Sequence, residues 1–301
     1  MHGTSPRSAR HRTITDSNIM HGFTGAQTAK LLLEISHLFA LCSVCADTHP
    51  FIIDSFVFHT MLQLLDCSNS ALNTFSNLFK TSVQTASQIQ YFLANTVANL
   101  TTNADIHFTL STGKLAPRLQ QLLVHEDLAV RTAGIRAISN FAHTKKLHAQ
   151  FATPDMLKTI STFLTETDAM CKLYSSLACA FFSEHAINLR NLACQPIVSG
   201  LFSILFDNLE IRLAVKGGDS QAAMGTSSET EKQQAIRAAG LALSNISSDL
   251  SSHAHIFKDI KSTTPGRFFS LLSHDDLQIR HSFSGLLSNL ATSKAQLRAL
   301  D

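Results

Sequence analysis

Apolar residues in this chain come in two alternating kinds of segment. Short clusters recur: MLQLLD (61–66), LQQLLV (119–124), STFLTE (161–166), FSILFD (202–207) and FSLLSH (269–274). A longer, alanine-rich stretch follows each one. Within the stretch after residue 127, Val130, Ala133/Gly134, Ala137/Ile138 and Phe141 recur at i, i+3/4 and i+7/8, which predicts a helix with one buried face. Small residues on that face (Ala133, Gly134, Ala239, Gly240, Gly285) predict close approach to neighbouring helices. Asp127 and Asp276 stand where a side-chain oxygen would accept the free N–H groups of a helix start.

The two-part pattern is periodic. Residues 122–142, LLVHEDLAVRTAGIRAISNFA, and 271–291, LLSHDDLQIRHSFSGLLSNLA, carry the same letter at nine ungapped positions. Worn copies lie between and before them. FLANTVANLTT (92–102) places Asn99 where Asn140 stands, 41 residues earlier, and AIRAAGLALSNISS (235–248) places Asn245 there. KLYSSLACAFFSEH (172–185) places Phe182 at that position. Asn289 closes the series. The period is about 42 residues, which signals a repeat architecture whose units bury their faces only against one another. The long interval before Asn245 contains AVKGGDSQAAMGTSSETEKQQ, a polar Gly/Ser/Thr-rich run that reads as a surface insertion. A second insertion, CSNSALNTFSNLFKTSVQTAS (67–87), sits in an earlier unit.

Units such as FIIDSFVFHTMLQLLD, followed by a helix ending ALSNIS, resemble armadillo repeats. That resemblance implies an all-α, right-handed superhelical solenoid with three helices per unit; two-helix HEAT repeats are the alternative. Five units are expected, over 49–102, 105–143, 147–186, 188–249 and 254–292, with half a unit before them (29–41) and the start of another at 294–301. Residues 1–25 read as a disordered tail, residues 26–301 as the solenoid, and 214–231 as an insertion loop. The chain stops inside a repeat, so further repeats or a partner are expected to stack at that end.

Charge narrows the function. Twenty-four basic against 22 acidic residues leave +2, with no basic stripe, which argues against nucleic-acid binding. No run of 18 apolar residues exists to cross a membrane, and the N-terminal residues show no apolar leader. Arg and Ser in residues 4–13 resemble a mitochondrial transit peptide only faintly. Six cysteines without that leader point to free thiols in a reducing compartment, the cytoplasm or nucleus. His37, Cys42, Cys45 and His49 form H-x4-C-x2-C-x3-H, but the spacing is unlike a zinc finger, and helix packing is the simpler reading. Nucleotide-binding, zinc-protease and serine-hydrolase motifs are missing, so no enzyme, cofactor or metal is expected.

Armadillo proteins line a groove with their third helices, where an extended peptide lies. Carried over to this chain, the resemblance implies that Asn99, Asn140, Asn245 and Asn289 pair with a peptide backbone, since an amide donates and accepts at once. Asn95, Arg136, Ala178, Leu241 and Gly285 would lie one turn earlier; Gln88, Ala129, Cys171, Gln234 and Gln278 would lie three turns earlier. The competing reading is that the asparagines only brace neighbouring units. Importin-alpha-like cargo adaptors pair each such Asn with a Trp, and this chain has none. The expected function is therefore a scaffold for extended or helical protein segments. A nuclear-import adaptor, or a structural segment of a cytoskeletal or ciliary assembly, is the alternative.

Overall fold

The computed structural model describes residues 25–65, 83–111, 115–215, 227–263 and 265–292. The N-terminal tail, residues 294–301 and the centres of both insertions lie outside them. Every regular element among the described residues is helical.

Six long helices form one layer: α1 (Gly25–Cys42), α2 (Val83–Leu100), α3 (Leu128–Ala142), α4 (Ala169–Ser183), α5 (Ser227–Ile246) and α6 (Leu277–Ala291). Each packs on the next in chain order. Between successive members the chain forms two further helices, for example His148–Phe151 and Pro154–Phe163, or His253–Ser262 and Pro265–Phe269; these are short except for Gln195–Val215, which runs for 21 residues before α5. The unit therefore has three helices, and the two-helix alternative is not what this chain builds. One continuous core runs from Ile52 to Leu290, with Phe58, Phe141, Phe151, Phe163 and Phe182 fully enclosed. Stacking supplies what a single unit lacks.

The insertion predicted over 214–231 is shorter than that among the described residues, because helix continues to Val215 and resumes at Ser227. Likewise α2 begins at Val83, inside the segment read as the earlier insertion.

The twice-written phrase builds a turn and a helix start. Asp127 accepts the Ala129 N–H at 2.8 Å, and Asp276 accepts those of Gln278 and Ile279. His125 and His274 each accept, at Nδ1, the N–H of the aspartate two residues on. Arg131 donates back to the carbonyls of His125 and Glu126, as Arg280 does to those of His274 and Asp275. The identical letters are the ones that satisfy the backbone where the chain reverses. Small residues perform as predicted at Gly134, where a Cβ would stand 3.1 Å from the Leu122 Cβ.

Candidate functional site

Counting from the capping aspartates fixes the register of the exposed layer. Asn140 and Asn289 each lie 13 residues after Asp127 and Asp276, and Phe181 lies 13 after Asp168, which caps α4 through the Cys171 N–H. Phe181, not Phe182, therefore holds the asparagine position in the third full unit. Phe182 is wholly buried and matches Phe141 and Leu290. The position one turn earlier is accordingly Leu177 rather than Ala178, and Met170 rather than Cys171 lies three turns earlier.

The asparagines form a ladder between units. Asn99 Nδ2 donates to Ser43 Oγ (3.0 Å), Asn140 to the Ala98 carbonyl (3.2 Å) and Thr101 Oγ1 (3.1 Å), Asn245 to Ser183 Oγ (3.1 Å), and Asn289 to the Ser244 carbonyl and Ser247 Oγ (both 3.0 Å). Carbonyl partners can only accept, so the amide orientations of Asn140 and Asn289 are fixed by chemistry. Each hydroxyl partner lies two residues beyond the ladder position of the preceding unit and donates in turn to a carbonyl three residues back. The rung fails once, and on both sides together: Phe181 faces the unit that carries Ala142 where the others carry Ser or Thr. The His143 ring instead lies on Phe181, with centroids 3.5 Å apart.

A second series was not legible in the sequence as a pattern. His49, His107, His148 and His253 each follow the ladder position by eight residues, and each is buried. Their Nε2–H groups donate to the carbonyls of Ser43, Thr101, Ala142 and Ser247 at 2.7–2.9 Å, closing the C-terminal ends of α1, α2, α3 and α5. Leu189 takes this place in the remaining unit, where Asn188 Nδ2 donates to the Phe182 carbonyl and to His148 Nδ1 (2.8 Å). That bond requires a bare Nδ1, so His148 is held as the neutral Nε2–H tautomer. Burial pushes the pKa of His107 and His148 below the usual imidazole value, only partly offset by the carbonyl each one bonds. The one-in-42 spacing was the available signal, but two insertions obscure it.

Along the exposed face lie two adjoining cavities. The first, about 500 Å³, spans α2 to α4 between Tyr91, Asn95, Thr132, Arg136 and Tyr174. Arg136 Nη2 donates to Asn99 Oδ1 (2.8 Å) and toward Asn95 Oδ1 (3.4 Å), while its buried Nε has no partner. The second, about 660 Å³, spans α4 to α6; Leu177, Phe181, Leu241 and Leu277 form its apolar surface, with Gln234, Arg237, Gln278 and His281 also lining it. Asn245 and Asn289 line a third cavity of about 440 Å³ with Ser183 and Glu184. Asn99 and Asn140 line none of these three. The predicted residues thus share one face but divide among separate hollows.

At the second cavity, burial alone would raise the Asp276 carboxyl. Hydrogen bonds from Arg237, Gln233 and the N–H groups of Gln278 and Ile279 outweigh it and hold the pKa at about 2. Elsewhere, burial pushes the Cys171 and Cys179 thiols up to about 11 and 12, so neither is a ready nucleophile. His37 stacks on Phe92 and His49 closes α1, which gives both histidines of the H-x4-C-x2-C-x3-H segment packing roles. Among the described residues no single helix is long and apolar enough to cross a membrane.

Comparison with solved structures settles the architecture. A computationally designed armadillo repeat protein for modular peptide recognition superposes with a TM-score of 0.64 at 14% identity, over 88% of this chain and 98% of its own. The fold is an armadillo-repeat solenoid. A second designed armadillo repeat protein aligns with a TM-score of 0.59 at 15% identity, over 88% and 99% of the two chains. A third, solved in complex with peptide (KR)4, aligns at 0.51 and 13% over 81% and 99%. No family model and no curated protein sequence matches the chain. In armadillo terms α2 to α6 are the third helices of the five units, and α1 is that of the leading half-unit.

Proposed function

We propose that this solenoid is a non-enzymatic scaffold that binds an extended or helical segment of another protein along the face of its third helices. The observation that carries the reading is the pair of adjoining cavities on that face, which expose apolar side chains and polar groups with unspent bonding capacity. Cavities of about 500 and 660 Å³ are of a size that holds a few side chains. The asparagine amides are spent on the ladder, so the Oδ1 atoms of Asn140, Asn245 and Asn289 remain as acceptors for a segment's N–H groups. Gln234 and Gln278, on successive third helices, supply donors as well as acceptors. The designed protein that carries (KR)4 argues by analogy for an extended ligand. Here, however, Arg136 and Arg237 stand on the face, and a Lys/Arg-rich segment would meet like charge. That disfavours the import-adaptor alternative. The free cysteines support a reducing compartment, the cytoplasm or nucleus, as the place where the scaffold would act.

Alanine replacement of the asparagines would test stability and binding together, so cross-linking is the cleaner experiment. A photo-reactive amino acid at exposed Ala129 on the inner face should capture a protein partner in cells, while the same group at exposed Lys158 on the outer helix should not. Equal capture of the same partner from both positions would overturn the groove reading.

A further inference from the structure

The two cavities differ in chemistry, and the difference selects a ligand. In the α4–α6 cavity Leu241 and Leu277 are 40% and 69% exposed, and Phe181 and Leu177 are half-buried beside them. Water against so much adjoining apolar surface is unfavourable, and a seated apolar side chain removes that cost. Beside this surface stands Arg237, whose side chain is 45% exposed. Its Nε is fixed on Asp276 Oδ2 at 2.6 Å, and Asp276 is itself nearly enclosed and saturated by Gln233 and two backbone N–H groups. The outer edge of the guanidinium, Nη1 and Nη2, is left without a protein partner among the described residues. A guanidinium oriented from behind, with that edge open, presents parallel donors that fit a carboxylate. Among the described residues no carboxylate lines the cavity.

We infer that the α4–α6 cavity receives a partner segment carrying a bulky apolar side chain next to an acidic residue, the apolar group seated on Phe181 and Leu241 and the carboxylate held by Arg237. This rests on the scaffold reading above and names the ligand chemistry at one place in the groove. The α2–α4 cavity fits this ligand less well: Arg136 is turned onto Asn99, Asp127 and Asp168 line it with like charge for an acidic residue, and Leu128 and Met170 share its walls with Asn95 and Thr132.

A phage-displayed library of random nonapeptides, selected on the whole chain without bias, tests the inference. Selected sequences should combine Leu, Ile, Phe or Met with Asp or Glu at one or two residues' distance. Leu241→Glu should weaken them at least tenfold, and Arg237→Gln should abolish the preference for Glu over Gln in a matched peptide pair. Unchanged thermal unfolding of both variants confirms that the surface, not the fold, was altered. Selected peptides that are basic, that lack the acidic residue, or that ignore Leu241→Glu overturn the inference. If binding is instead lost on Arg136→Ala, the groove reading stands and only this assignment falls. If no peptide binds in a way that depends on any inner-face residue, both fall. A concentration-dependent dimer broken by Leu241→Glu would give the cavity to a second copy of the chain, which also overturns it.

Discussion

Before the helix of Phe181 the inner face carries Asn95 and Arg136 and is stitched along that column. From that helix onward the same column carries Leu177 and Leu241 and is open and more apolar, while the asparagine rungs continue on both sides. On the α2–α4 side Arg136 donates to Asn99, which donates to Ser43, so one line of hydrogen bonds crosses three units. On the α4–α6 side the equivalents of Asn95 and Arg136 are Leu177 and Leu241, and no such line forms across that position. One repeat geometry thus supports two surfaces. The lesson is that backbone register and surface chemistry are separately encoded: the capping aspartates and buried histidines keep the register, which leaves the exposed columns free to diverge.

The largest test of this contrast is the register itself. Phe182→Ala removes a wholly buried ring and should cost about 3–5 kcal/mol of unfolding free energy. Phe181→Ala, on the exposed column, should cost about 1 kcal/mol or less by urea denaturation. Equal losses would show that the two faces have been confused.

Acid should weaken the repeat ends next. His107 and His148 are held neutral in the folded chain with lowered pKa values, so the unfolded chain binds protons first. Their full contribution is present above an imidazole's ordinary pKa of about 6.5 and is lost as pH falls from there toward the lowered folded values. Each histidine lowers stability by at most about 1.4 kcal/mol per pH unit in that window. Urea midpoints measured at pH 7.5 and 5.5 should therefore separate, and His148→Leu with its carbonyl left unpaired should start lower but show a shallower slope.

Rungs come third. Asn140→Ala removes two inter-unit hydrogen bonds, to the Ala98 carbonyl and to Thr101 Oγ1, and should cost about 1–2 kcal/mol, more than Asn245→Ala, which loses one hydroxyl contact. The smallest effect is the most specific. Phe181→Asn combined with Ala142→Ser should recover about 0.5–1.5 kcal/mol over the sum of the single changes, because the pair rebuilds the missing rung. Strict additivity would mean that the break in the ladder is not a matter of matched partners.

Period, helix-rich class and the third-helix asparagines were legible because they repeat in letters: His125/His274, Asp127/Asp276 and Asn140/Asn289 stand in a gapless match. The phase of the worn unit was not. Aligning KLYSSLACAFFSEH by its apolar letters slips one residue, since Phe181 and Phe182 look alike in sequence while only one faces the core. The N-cap Asp168 carries the phase, because a cap has one geometric position and a hydrophobic run has several. What the amides bond to was equally hidden. Whether an Asn reaches a ligand or the previous unit depends on a hydroxyl 39 to 62 residues upstream, and Ser43, Thr101, Ser183 and Ser247 do not advertise that role.

The ladder also bears on how such a chain can change length. Each rung is keyed: a unit brings an amide for its predecessor and a hydroxyl for its successor. Excising the stretch between Ala142 and Ser183 would leave Asn245 over a methyl group, whereas excising a unit between two Ser- or Thr-bearing ends would preserve the match. Units here are not interchangeable beads; their order is written in which neighbours can shake hands.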